Sequence, residues 1–408
     1  MHPSTLRIED YTYELPDERI ARYPLQERDA SKMLVYRHGE ISNEAFAALP
    51  GFLPEGALLA FNQTRVVNAR LLFKKPSGGV IEVFCLEPHS RYPDITTAMA
   101  QHGKVYWHCL VGGASKWKPG MVLELKVNEL TLSARVEERT TTDFIIELTW
   151  DDPDLSFSEV LKETGKIPLP PYLNRDAEES DTERYQTMFA TEEGSVAAPT
   201  ASLHFTPAIL EALERRKIGT TLLTLHVGAG TFKPVKSETI GEHVMHEEWL
   251  EVSRNTIAQL LGQGEKPVVA VGTTALRTLE SLYWMGIKAK DNVVLPMQEL
   301  SVTQWEPYEL PATISCAEAL NALLQWMEVH NRSSIVTKTQ ILIAPGYRFR
   351  VIKGLVTNFH QPKSTLLLLV AALIGNDWKK VYDHALHHDY RFLSYGDSSL
   401  LWAEHVIS

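Results

Sequence analysis

Three of the fifteen histidines, His204, His226 and His360, sit beside strand-like or Pro/Gly-ordered sequence rather than on a solvent face. For any one of them a hydrogen-bonded core position is the ordinary reading. Three in such settings raise the expectation that at least one works as acid or base, because imidazole changes charge near neutral pH. The spacings His243-Val-Met-His246 and His384-Ala-Leu-His387-His388 match no tight ligand pattern, so no metal site is expected. Gly228-Ala-Gly230 ends a strand-like run, and its glycines would let backbone N–H groups approach an anion or polar ligand. A plain tight turn accounts for the motif equally well, and the third glycine of a dinucleotide fingerprint is missing, which argues against NAD. Thr273-Thr274, at a strand-to-helix junction, offers hydroxyls and free N–H groups to a carboxylate or phosphate. The plainer alternative is Thr273 as an N-cap. Arg277, one turn on, would face the same end and suits bidentate pairing with a carboxylate. Neither G-x-S-x-G nor G-x-x-x-x-G-K-[ST] occurs, which disfavours serine hydrolases of that kind and P-loop enzymes.

These residues need elements to hold them. Thr221–Val227, Pro267–Gly272 and Ile341–Ile343 read as strands that each run into a tight turn, where α/β proteins place ligands. Gly56–Phe61 reads as a strand buried on both faces and Met33–Tyr36 as another. Helices are expected over Glu159–Thr164, ended by Gly165, and over Ala208–Lys217, Ala275–Trp284 and Ala317–His330. Leu366–Ile374 is too short to span a bilayer and reads as a buried helix. Between about Leu71 and Trp150 the pattern changes to short β-rich runs separated by turn signals such as Gly78-Gly79 and Lys118-Pro-Gly120. That segment is expected to be a small all-β, barrel-like module inserted in the chain. The expected class is therefore mixed α/β, with a large domain over 1–70 and 151–408, built on a barrel-like mixed or antiparallel sheet, and the module over 71–150.

The chain has 408 residues, 44% of them apolar, which is enough for a well-buried core and more than one domain. The net charge of −11 argues against a protein that coats nucleic acid, yet permits grip on a folded RNA through a local basic patch. Three cysteines without a C-x-x-C pair speak against a disulfide framework or a zinc site. The first ten residues lack the apolar core of a secretory signal. A soluble protein of a reducing compartment is expected. Asp176–Glu183 is the most polar stretch and reads as a solvated loop.

Several segments, taken in order, resemble the S-adenosylmethionine:tRNA ribosyltransferase-isomerases of queuosine biosynthesis. They are Tyr13-Glu-Leu-Pro16, Tyr23-Pro24, Arg28-Asp-Ala-Ser31, Phe61-Asn-Gln-Thr-Arg-Val-Val-Asn-Ala-Arg-Leu71 and Gly165-Lys-Ile-Pro-Leu-Pro-Pro-Tyr172. Further on come Tyr185-Gln-Thr187, Gly194–Thr206, Thr224–Val235, His243 with Met245-His246-Glu247, and Val271-Gly-Thr-Thr274 with Arg277-Thr-Leu-Glu280. Pro345-Gly-Tyr347, Asn358–Thr365 and Tyr390–Asp397 complete the set. Any one could arise by chance; the ordered combination, spread over nearly the whole chain, is specific. Departures from the family pattern are Gln63 and Asn68 within the Phe61–Leu71 motif, Ser202 for glycine, Gln361 for leucine, and a longer segment from Gly286 to Thr339.

The resemblance implies a reaction. A base removes a proton from the ribosyl carbon next to the sulfonium of S-adenosylmethionine. That carbon reacts with the aminomethyl group of 7-aminomethyl-7-deazaguanine at the tRNA wobble position. Adenine and methionine leave, and epoxyqueuosine remains in the tRNA. S-adenosylmethionine is then a co-substrate, and no bound prosthetic group is expected. The implied acid–base candidates are His204, His226 and Asp397, with His360 next. Thr274 and Arg277 are candidates for carboxylate or ribose contacts, Asn358, Gly228 and Gly230 for further donor contacts, and Arg65, Arg348 and Lys363 for tRNA phosphates. A cytoplasmic monomer whose partners are this tRNA and S-adenosylmethionine, with no membrane partner, completes the expectation. The competing readings are the same fold acting on a different nucleoside or RNA acceptor, and a non-catalytic RNA-binding homologue.

Overall fold

Strand patterning and parallel pairing converge on one end of a large sheet. The computed structural model describes residues 2–75, 78–228, 235 and 237–403. Nine strands form a mixed sheet in the spatial order Ser334–Thr339, Glu248–Ser253, Gly219–Leu225, Leu58–Asn62, Val268–Val271, Gly354–Asn358, Ser398–Trp402, Lys32–Arg37 and Glu40–Ala45. The four strands Gly219–Leu225, Leu58–Asn62, Val268–Val271 and Gly354–Asn358 are parallel neighbours, so their carboxyl ends open at the same edge. Strands buried on both faces need apolar residues, and Leu58–Phe61 and Val268–Val271 supply them, while buried Asn62 is satisfied by the Leu225 backbone. Alternate residues face opposite layers. Leu58, Ala60, Val268 and Ala270 join the larger core under the helices Thr273–Asp291, Cys316–Val329 and Thr365–Ile374. Leu59, Phe61, Val269 and Val271 join a second core capped by the helix Pro207–Arg215.

A second, six-stranded antiparallel sheet runs Arg70–Lys74, Val80–Pro88, Lys104–Gly112, Phe144–Trp150, Leu130–Arg139 and Leu123–Val127. Its first and last strands also approach each other, so the sheet is nearly closed and barrel-like. The fold is the expected mixed α/β class. The barrel's core does not stop at its strands: Phe157, Val160 and Leu161 of the helix Phe157–Thr164 pack into it. That helix starts with a capping box between Ser156 and Glu159 and ends at Gly165.

The structure departs from the sequence reading in four places. Ile341–Ile343 is not a strand. Its carbonyls are used by side chains instead, since Ile341 O accepts from Arg277 Nε (3.2 Å) and Leu342 O from Tyr308 Oη (2.9 Å). The strand lies just upstream, at Ser334–Thr339, where alternating burial marks it. Asp176–Glu183 is not wholly solvated, because Asp181 is buried and held by both terminal nitrogens of Arg175 and by Tyr395. The helix after Val271 runs to Asp291. Its N-cap is Gly272 (φ 89°), with no side-chain cap, and Thr273 is its first residue. Among the described residues no helix is long and apolar enough to cross a membrane.

Helix Cys316–Val329, in the long segment after Gly286, has a structural task. It lies against Thr273–Asp291 so closely that a Cβ on Gly286 would stand 2.4 Å from the Ala319 carbonyl oxygen. Only a residue without a side chain allows that approach.

Candidate active site

Two cavities meet at the carboxyl edge of the parallel strands. The first is lined by Tyr172, Tyr185, Thr200, Asn358, His360 and Gln361, among others. The second, of about 410 Å³, lies between the start of helix Thr273–Asp291 and the segment Ile341–Ile343. Thr273, Thr274 and Leu366 belong to both walls, so the two form one cleft. This is the crevice where open α/β sheets bind ligands.

His360 stands in the wall of the first cavity. Thr357 Oγ1 lies 2.9 Å from its Nε2, its backbone N–H donates to Tyr382 Oη, and its carbonyl accepts from Tyr13 Oη. Burial pushes its pKa down to about 3, so the ring is neutral at pH 7. Asn358 shares that wall. Thr200 Oγ1 donates to Asn358 Oδ1 (2.8 Å), and Nδ2 lies 3.5 Å from both His204 Nε2 and the Gly396 carbonyl.

His204 sits one layer behind. Its Nδ1 is 3.1 Å from the Arg28 carbonyl and 2.9 Å from Ser31 Oγ. A carbonyl only accepts, so Nδ1 carries the proton and Nε2 offers its lone pair to Asn358. Burial brings this pKa to about 4, opposed by the Arg28 carbonyl and Asp397. Asp397 is buried further back. It accepts from the backbone N–H groups of Lys32 (3.1 Å) and Arg391 (2.8 Å) and pairs with the Arg391 guanidinium (3.0 Å). His226 closes the strand Gly219–Leu225, with its Nδ1 buried and unpartnered and its pKa pushed to about 4 by burial.

Thr274 and Arg277 face the second cavity as a pair. Arg277 Nη1 is bonded to Glu248, Nε to the Ile341 carbonyl, and Nη2 to nothing. Gly228 lies apart from both cavities, in a cleft between the barrel and the large sheet beside His108, His246 and Lys338. Gly230 lies outside the described residues. Arg65 and Arg348 are exposed, Arg65 standing 3.9 Å from Glu193. Lys363 pairs with Glu9 at 2.7 Å. The structure thus brings His360, Asn358, Thr274 and Arg277 to the cleft, stacks His204 and Asp397 behind it, and leaves Arg65, Arg348 and Lys363 outside its walls. Among the described residues no group of three or more His, Cys, Asp or Glu side chains is arranged to hold a metal ion.

Sequence reasoning passed over Glu248, Ser237 and Tyr185 as site residues. Glu248 carried a usable signal, because it shares the inward face of its strand with Leu250 and Val252. A glutamate at an apolar register position calls for a buried cation. Ser237 carried none.

An open α/β sheet with a polar cleft at its strand ends, beside a small β-barrel, defines a ligand-binding α/β protein. The chain matches the family described as queuosine biosynthesis protein over residues 8–401, and it belongs to that family. It is 40% identical over 404 residues to an S-adenosylmethionine:tRNA ribosyltransferase-isomerase of Acinetobacter baylyi, covering 97% of this chain and 99% of that protein. A protein of the same name from Magnetococcus marinus is 36% identical over 403 residues, covering 98% and 94%. Among solved structures, an S-adenosylmethionine tRNA ribosyltransferase from Thermotoga maritima is similar at 28% identity and a TM-score of 0.46, covering 96% of this chain and 99% of that one.

Proposed function

We infer that the protein transfers the ribosyl group of S-adenosylmethionine to 7-aminomethyl-7-deazaguanine at the tRNA wobble position and isomerises it, giving epoxyqueuosine-tRNA, adenine and methionine. The observation that carries this is 36–40% identity, over nearly the full length, to proteins named for that activity. The cleft agrees with it, since a donor with a nucleoside end and an amino-acid end suits two joined polar cavities.

Roles follow from position. His360 is the histidine on the wall, so it meets the donor directly and exchanges a proton there. The neutral ring carries its N–H proton on one nitrogen and a lone pair on the other, and that lone pair can accept a proton. His204 and Asp397 are positioning residues: the first aims the Asn358 amide, the second ties the turn before Ser398 to Lys32. His226 keeps a free nitrogen for a group entering from the barrel side. Arg65 and Arg348 contact phosphates of the tRNA, and Lys363 does so after release from Glu9. The enzyme acts as a cytoplasmic monomer, with 1–70 and 151–408 as the catalytic domain and 71–150 as the inserted module.

The test mixes the protein with S-adenosylmethionine and tRNA bearing 7-aminomethyl-7-deazaguanine and measures free adenine and methionine. Release that depends on this tRNA is expected. Release only with another acceptor would overturn the acceptor assignment, and binding without release would overturn catalysis.

A further inference from the structure

We propose that the second cavity is a subsite for an α-amino-acid zwitterion, with Arg277, Thr274 and Ser237 gripping the carboxylate and Glu248 facing the ammonium group. The proposal rests on the donor reading above and assigns one end of that donor.

Three buried side-chain atoms on this cavity lack any hydrogen-bond partner: Arg277 Nη2, Thr274 Oγ1 and Ser237 Oγ. Buried polar groups are nearly always paired, so three orphans on one wall mark the place of an absent partner. All three can donate, and a carboxylate accepts several such bonds at once. Arg277 is only 7% exposed, and its other two nitrogens are already held by Glu248 and the Ile341 carbonyl. The guanidinium plane is therefore fixed, with one N–H aimed at the cavity.

The helix start adds to this. Thr273–Asp291 spans 19 residues and begins at a glycine with φ 89° and no side-chain cap. Its first N–H groups and the positive end of its dipole meet the same wall. An anion there completes the cap.

Charge sets the class of ligand. Arg277 and Glu248 cancel, and Glu242 leaves the lining with an excess negative charge, so the pocket suits a molecule carrying both signs rather than a bare anion. Met245, Leu342, Leu366 and Leu369 give the wall apolar stretches for a short methylene chain. The shared residues Thr273 and Thr274 let one ligand continue into the His360 cavity.

The experiment is calorimetric titration of the full chain with S-adenosylmethionine, its decarboxylated analogue, 5′-methylthioadenosine and free methionine. The wild type should bind S-adenosylmethionine at least about tenfold more tightly than the decarboxylated analogue, the low end for hydrogen bonds to a charged group. Arg277→Met should erase that preference. Because that change strands Glu248, Ser237→Ala and Thr274→Val serve as independent variants. Each should cut the preference roughly three- to tenfold, and Ser237→Ala, which lines only the second cavity, should leave methylthioadenosine affinity unchanged. Equal binding of the two donors by the wild type would overturn the subsite while leaving the donor reading intact. So would variants that weaken methylthioadenosine as much as S-adenosylmethionine. If only free methionine bound, and Arg277→Met abolished it, the subsite would stand and the donor reading would fall. Binding of none of the four would overturn both.

Discussion

Glu280 offers the most direct test of how the fold holds one wall of the cleft. It lies fully buried in helix Thr273–Asp291, two turns beyond Thr273. Its Oε1 accepts from the backbone N–H groups of Val351 (3.0 Å) and Ile352 (3.1 Å). Its Oε2 accepts from the Arg350 N–H (2.9 Å) and Tyr347 Oη (2.8 Å). One side chain thus fastens the loop that continues from Ile341–Ile343. Glu280→Gln turns one oxygen into an NH2 donor. If that group replaces Oε2, the Tyr347 hydroxyl can rotate to accept from it, but the Arg350 N–H cannot. A stranded buried donor costs about 1–3 kcal/mol, so a loss of about that size is expected. Urea denaturation followed by Trp fluorescence measures it, with Trp284 in the same network through its bond to Tyr347 Oη. The pH dependence gives a second handle. Burial raises the Glu280 pKa above the ordinary 4.5 despite its four donors. The folded state therefore binds this proton more readily than the unfolded state. The carboxyl's contribution is complete below about pH 4.5 and declines as pH rises through the folded value. The gap between wild type and the glutamine variant should accordingly be wider at pH 4.5 than at pH 8. A gap below about 1 kcal/mol at both pH values would refute the clamp.

His204, neutral in the fold with a pKa of about 4, gives the opposite pH response. Its contribution is present above the unfolded value near 6.5 and is lost as pH falls toward 4, up to about 3 kcal/mol. His204→Asn should flatten that part of the stability profile in denaturation curves between pH 7.5 and 4.5. Gly286→Val should separate the two packed helices and lower the melting temperature by several degrees, as read by scanning calorimetry, because its side chain would enter the Ala319 backbone. Gly272→Ala should cost about 1–2 kcal/mol through its left-handed φ alone, since a Cβ there meets nothing closer than 3.7 Å. Arg175→Met leaves Asp181 buried without its cation, and a loss of about 3–5 kcal/mol is expected in the same denaturation assay.

Elements with strong periodicity or clear punctuation were legible in the chain itself. The strands from Val80 to Trp150, the helix ended by Gly165 and the helix near Ala317–His330 all stand within a few residues of where pattern and capping residues put them. Ile341–Ile343 was not legible, because an apolar run looks the same whether its carbonyls meet a strand or the side chains of Arg277 and Tyr308. Asp181 was hidden in an acidic stretch, and its burial depends on Arg175 and Tyr395, the latter distant in sequence. Thr274 and Arg277 were legible as neighbours because helix spacing puts them on one face, and both line the second cavity. Glu248, on a strand distant in the chain, and Ser237, outside any strand, join them only in the folded cavity. Likewise, nothing local distinguishes His360 on the wall from His204 behind it. The difference lies in Asn358, which stands between His204 and the cavity.

The order of strands carries a consequence for how the protein is made. Met33 pairs with Ser398, so the second strand from one edge of the large sheet cannot take its place until the last strand exists. His204 is tied to Arg28 and Ser31 on one side and to Asn358 on the other, which spreads the site over both ends of the chain. At ordinary ribosomal speed a chain of this length takes about 20–80 s to emerge. For nearly all of that time Met33–Tyr36, an apolar strand, has no partner on its Ser398 side. The barrel, whose strands are all close neighbours in sequence, can close while it waits. Synthesis thus favours an order of assembly, with the barrel first and the cleft last.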